Sequence, residues 1–215
     1  MTKTEMKDYK FIAKIQGKNL KFRKWKVKDK NKFTANMENV QLVKEALVYD
    51  CLADNKIALS EQEYEYMLMR IREVSLQDRI TYDFNCTECG EPFEFKADLK
   101  EIMKPSGTKY TEISHDGTTF GIGYIRNRKF YESAMLEAKT EEEKILTDFI
   151  LHIKSYNGDD SLGFADLNNI INEMDVDIFE SLMQQWETMR FKVQNIHTVV
   201  CPKCNFSENY EFDDM

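Results

Sequence analysis

The chain has 215 residues, 30 of them Lys or Arg and 38 Asp or Glu, so its formal charge is −8. Hydrophobic residues make up 42 % and charged residues 32 %, which excludes a collagenous or wholly disordered chain and allows a sizeable core. Eight glycines and three prolines are few for this length, so long flexible linkers are excluded and long helices allowed.

The charge is unevenly spread. Residues 1–33 hold twelve basic side chains and three acidic ones, a net +9, and leave −17 for the remainder. Met1 to Lys32 never runs seven apolar residues together, which argues against a secretory signal. No stretch approaches the roughly 20 apolar residues that a membrane-crossing helix needs. A soluble protein of a reducing cytoplasm, with no membrane partner, is the expectation.

Residues 9–16 and 19–28 flank Gly17-Lys18 and read as a basic β-hairpin, with Lys24, Lys26, Lys28 and Lys30 on one face and Arg23, Trp25 and Val27 on the other. A helix begins near Met37, and Val40, Val43, Leu47 and Cys51 form one apolar face of it. That places Cys51 in a core as an inert thiol. Ser60 and Glu63 suggest a capping box ahead of a helix that ends near Glu73. Residues 79–85 and 93–97 read as strands around Cys86 and Cys89, and 108–114 and 118–125 as strands around an Asp116-Gly117 hairpin turn. Thr140 and Glu143 predict a second capping box ahead of a helix bearing Leu146, Phe149, Ile150 and Ile153, followed by a short helix over 164–174 and another lined by Phe179, Leu182, Trp186 and Met189. Residues 191–200 return to strand character before Cys201.

The expected fold class is therefore α+β: helix-rich, with short antiparallel hairpins and a zinc-ribbon-like four-cysteine unit split by a large helical insertion. Five segments follow: a basic hairpin over 1–33, a helical segment over 34–78, hairpins with the first C-x-x-C over 79–125, a helical insertion over 126–190 and a strand pair with the second C-x-x-C over 191–215. They read as one intertwined domain.

One internal repeat carries chemistry. Cys86-Thr-Glu-Cys89-Gly90 precedes Phe93-Glu94-Phe95, and Cys201-Pro-Lys-Cys204-Asn205 precedes Tyr210-Glu211-Phe212. Gly and Asn are the residues that best tolerate left-handed backbone, and a turn of that kind aims its amides at the thiolate sulfurs. Two such pairs, Cys86 with Cys89 and Cys201 with Cys204, complete a tetrahedral Zn²⁺ shell with no open position, a structural zinc rather than a catalytic one. The 111 residues between the pairs do not forbid it. Closing that loop costs only about 1.8 kcal/mol more than closing a 15-residue one, against roughly 10–16 kcal/mol from structural zinc. A redox pair, two half-sites completed by another subunit, and metal-free turns are the competing readings. Redox chemistry wants C-x-x-C at a helix start, whereas both pairs here lie between strands.

No catalytic set emerges. His115, His152 and His197 match no motif, although His197 lies close enough to Cys201 to substitute as a ligand. Asn157 to Asn168 fails the EF-hand template at Leu162 and Asn168. The basic hairpin, with Arg23, Lys24, Trp25, Lys26 and Lys28 as candidate partner-binding residues, fits protein contacts better than nucleic acid, because the acidic bulk repels phosphate.

Residues 19–97 resemble, as a block, the T-even-type bacteriophage baseplate proteins, the hub subunits or hub-assembly factors of contractile tails. The resemblance rests on Arg23-Lys24-Trp25, on the helix from Glu63-Tyr64 to Arg70-Ile71-Arg72 with Ser75 after it, and on the Cys86/Cys89 pair. It implies a non-enzymatic protein that helps build a tail hub in the host cytoplasm or stays in the virion. Its partners would be hub, tail-tube or tape-measure proteins, and self-association is open. The alternative is a zinc-ribbon nucleic-acid-binding or transcription-associated module using the basic hairpin; a thiol oxidoreductase comes third.

Overall fold

The computed structural model describes residues 8–15, 18–29, 31, 40–76, 79–107, 111–125, 127–194 and 196–211. The chain divides into two units. One comprises residues up to Ala53, Glu61–Ser106 and Lys192 onward; the other comprises Asp54–Ser60 and Gly107–Phe191.

The first unit opens on a hairpin of β1 (Phe11–Ile15) and β2 (Lys18–Phe22), in register from Phe11↔Phe22 to Ile15↔Lys18. Alternation puts Ala13, Ile15, Leu20 and Phe22 inward. Strand β2 stops at Phe22 instead of running to Lys28, so the expected stripe of alternate lysines does not form. A buried ion pair explains the stop. Arg23 Nη1 donates to Asp29 Oδ2 at 2.7 Å, and the same oxygen accepts the Lys26 N–H at 2.7 Å, so the backbone curls back. Both side chains are nearly sealed from water. The expected helix start near Met37 lies outside the described residues.

Helix α1 (Val40–Cys51) buries Leu47, Val48 and Cys51, and packs on α2 (Glu61–Ser75), which buries Met67 and Ile71. Glu63 is buried too, and its carboxylate lies 3.3 Å from Lys18 Nζ across 45 residues of sequence. Two further hairpin strands, β3 (Arg79–Asn85) and β4 (Pro92–Asp98), pair antiparallel; the short helix α3 (Leu99–Ile102) follows, capped by Asp98. The chain leaves this unit along β5 (Lys104–Ser106).

In the second unit, β6 (Glu112–His115) and β7 (Thr118–Ile122) join through Asp116 and Gly117, both at positive φ (45° and 78°), the conformation that an Asp-Gly hairpin turn supplies. Part of the first expected strand, 108–110, lies outside the described residues. Helix α4 (Arg128–Glu137) precedes α5 (Glu141–His152), and β8 (Ile153–Tyr156) completes a sheet in the order β6-β7-β8. Helices α6 (Phe164–Asn172) and α7 (Val176–Met189) close the unit around Phe120, Phe149, Leu182 and Trp186. The predicted capping box is present: Glu143 N–H donates to Thr140 Oγ1 at 3.1 Å and Thr140 N–H donates to Glu143 Oε2 at 3.3 Å. Thr140→Ala is expected to cost about 1 kcal/mol in urea unfolding, since it orphans one end of that reciprocal pair.

The chain returns along β9 (Lys192–Gln194), which pairs antiparallel with β5 from Lys104↔Gln194 to Ser106↔Lys192. This pairing ties the two ends of the inserted unit together. Strands β10 (Ile196–Val200) and β11 (Ser207–Glu211) make the last hairpin. The fold is α+β, with short antiparallel hairpins and two cysteine pairs separated by an inserted unit, as expected.

Candidate metal centre

Each cysteine pair sits in the turn of its own hairpin. Strand β3 delivers Cys86 and β10 delivers Cys201, and both turns close with the same hydrogen bonds. Gly90 N–H donates to Cys86 C=O at 2.9 Å, and Asn205 N–H donates to Cys201 C=O at 3.0 Å. Cys86 N–H reaches Glu91 C=O at 2.9 Å, and Cys201 N–H reaches Phe206 C=O at 2.8 Å. Gly90 (φ 69°) and Asn205 (φ 60°) occupy the left-handed region, which is why these two residue types follow the second cysteines.

The two turns face each other. Cys86 Sγ lies 3.6 Å from Cys204 Sγ, Cys89 Sγ lies 3.7 Å from Cys201 Sγ, and all four sulfurs fall within 4.8 Å of one another. A disulfide needs about 2.05 Å, so these are not bonded pairs. Four sulfurs placed tetrahedrally around Zn²⁺ at about 2.3 Å would stand roughly 3.8 Å apart, close to the separations seen. The four cysteines could therefore hold a metal ion. No histidine belongs to this group among the described residues, and His197 lies on β10, paired with Tyr210.

The electrostatics fit a cation. The amide of Cys204, with that of Lys203, holds the Cys201 thiol down to about 7 against desolvation. The amide of Phe206 favours a thiolate at Cys204 too, but partial desolvation and the neighbouring sulfurs push that thiol up to about 12. Four thiols this close resist losing all four protons unless a positive ion shares the charge. Contacts between the hairpins brace the arrangement: Phe84 and Tyr210 rings lie 4.5 Å apart, Lys203 pairs with Glu91 at 2.7 Å, and Thr87 Oγ1 donates to Glu208 at 2.9 Å. The fifth cysteine behaves as the helical stripe predicts. Cys51 is fully buried, and desolvation pushes its thiol up to about 12.

Four of the candidate partner-binding residues, Arg23, Lys24, Trp25 and Lys26, line one depression with Asp8, Lys10 and Phe11. Arg23 is buried on Asp29, Lys24 places its ammonium 5.8 Å from the centre of the Phe11 ring, and Lys28 is exposed. Trp25 and Lys26 line one groove together with residues of α1 and α2 that lie far away in sequence. A second feature escaped the sequence reading: Asp148 and His152, one helical turn apart on α5, are both buried. The Asp-to-His spacing beside an apolar stripe was the available signal.

These features define an α+β scaffold whose two thiol-bearing hairpins flank an inserted unit. A family model described as "T4 bacteriophage base plate protein" matches residues 6–215, and the chain belongs to that family. Neither the curated proteins nor the solved structures gave a match. Membership makes this a bacteriophage baseplate protein with a structural or assembly role, whose neighbours are other baseplate and tail proteins. Among the described residues, no helix is long and apolar enough to cross a membrane.

Proposed function

We propose that the chain is a non-enzymatic structural or assembly subunit of the hub of a contractile phage baseplate, acting through protein–protein contacts on a zinc-braced scaffold. The observation that carries this reading is the convergence of Cys86, Cys89, Cys201 and Cys204 in a chain that belongs to the baseplate family. These four residues would hold the ion, which supplies a cross-link between hairpins rather than an open coordination position. The cross-link joins the chain on either side of the inserted unit, and β5–β9 pairing shortens the loop that it must close. Its partners are other hub, tail-tube or tape-measure proteins, met in the host cytoplasm during assembly.

Infected-cell lysates test the reading. The protein is expected to co-sediment with baseplate intermediates, and a phage lacking it is expected to make no complete baseplates. Normal tails from that deletion would overturn the proposal.

A further inference from the structure

A groove of about 440 Å³ opens on the first unit, between the Trp25–Val27 stretch on one side and α1 and α2 on the other. Its surfaces are largely apolar, and Val27 and Leu76 at its margin are 78 % and 60 % exposed. Among the described residues, every charged one that lines it is a cation. In a chain of net charge −8, a groove whose described residues include three cations and no carboxylate is a local reversal of sign.

We infer that this groove receives an amphipathic helix from a partner protein, carrying an apolar stripe flanked by Asp or Glu. The inference rests on the baseplate reading for its biological setting, but the surface is defined by this chain alone. Two packed helices, α1 and α2, supply one wall, and the depression beside such a pair accepts a third helix through side chains at i, i+3, i+4 and i+7. Val27 and Leu76 meet the apolar stripe, over a floor formed by the buried Leu47, Leu68 and Met69. Lys26, Lys44 and Arg72 meet the acidic flanks, where complementary charge sets orientation and association rate. Lys26 already touches Asp8 at 2.6 Å, but both side chains are half exposed, so a partner carboxylate can replace that contact at little cost. A phosphate backbone would satisfy the cations and leave the exposed Val27 and Leu76 in water. An acidic helix satisfies both.

Selection from a random 14-residue peptide library on the purified full chain tests this. Enriched peptides are expected to carry a helical apolar stripe and net negative charge, and to bind the Lys44→Glu/Arg72→Glu chain about tenfold more weakly. Leu76→Asp is expected to weaken them similarly while the melting temperature stays that of the unaltered chain. Neutral or basic winners, equal binding to the charge-reversed chain, or no enrichment would each overturn the inference. So would sedimentation showing a dimer that the charge reversal dissociates, because a second copy would then be the occupant. None of these outcomes depends on whether the chain enters baseplates, so the hub reading stands or falls separately.

Discussion

Cys204→Ser is expected to take the zinc content of the purified chain from about one ion to near zero and to lower its unfolding free energy by several kcal/mol, part of the roughly 10–16 kcal/mol that full release of a structural zinc costs in finger peptides. The expectation follows from geometry. Cys204 sits 3.6 Å from Cys86 in the opposite turn, so its loss opens the shell on the side that joins the two hairpins. The contacts that remain between them include a ring contact, an exposed ion pair and a hydroxyl hydrogen bond, and the exposed pair contributes no more than about 1 kcal/mol. Cys51→Ala provides the control: it trims a core thiol that has no part in the cluster, so metal content is expected to stay unchanged. Elemental analysis and thermal melts with and without chelator read both. Wild-type protein without zinc, or a Cys204→Ser protein that keeps it, would sink the brace.

The same centre shows what was legible before any coordinates. The C-x-x-C pairs, their flanking strands and the Gly90 and Asn205 turns are local features, set by residues within about five positions, and all of them reappear in the fold. Asp116-Gly117 and the Thr140/Glu143 box are local in the same sense. Which charged side chains are buried, and against which partner, was not legible. Alternate lysines from Lys24 to Lys30 mimic a strand, but burial of Arg23 against Asp29 ends β2 at Phe22. Glu63 looks like a capping residue at a helix start, yet its carboxylate meets Lys18, and no pattern in either segment announces the pair. The groove draws its walls from three stretches of sequence, each of which alone reads as an ordinary amphipathic segment.

Asp148 gives the other large effect. Its carboxyl is buried in the second unit among Tyr131 of α4, His152 of its own helix, and Arg190 and Glu187 at the end of α7. Burial pushes its pKa up to about 6; Arg190 and the Tyr131 hydroxyl pull the other way without prevailing, and Glu187 adds to the rise. An upward shift beside a cation looks contradictory, and the distances resolve it. Arg190 Nη2 stands 3.4 Å away, longer than the 2.7–2.9 Å of a strong charge-assisted hydrogen bond, and its Nη1 is spent on Glu187 at 2.8 Å. His152 Nδ1 lies 2.7 Å from the Asp148 backbone carbonyl and 3.5 Å from the carboxylate, so its proton serves the carbonyl.

Because the folded pKa exceeds the ordinary value of 3.8, the native state holds this proton more tightly than the unfolded chain does. Asp148 therefore contributes a penalty that is complete above about pH 6 and vanishes toward pH 4, on the order of 3 kcal/mol at 1.36 kcal/mol per pKa unit. Asp148→Asn keeps the shape and an acceptor for Tyr131 and removes the charge. The variant is expected to be the more stable protein at pH 7.5, by up to about 3 kcal/mol, with the two urea-unfolding curves converging as pH falls to 4. Other carboxyls, such as Asp29 and Glu143, are held low by their partners and lose stability over the acidic range in both proteins, so the difference between the curves isolates Asp148. A variant less stable at pH 7.5, with a gap that closes only on acidification, would mean that Arg190 holds the anion more firmly than desolvation opposes it.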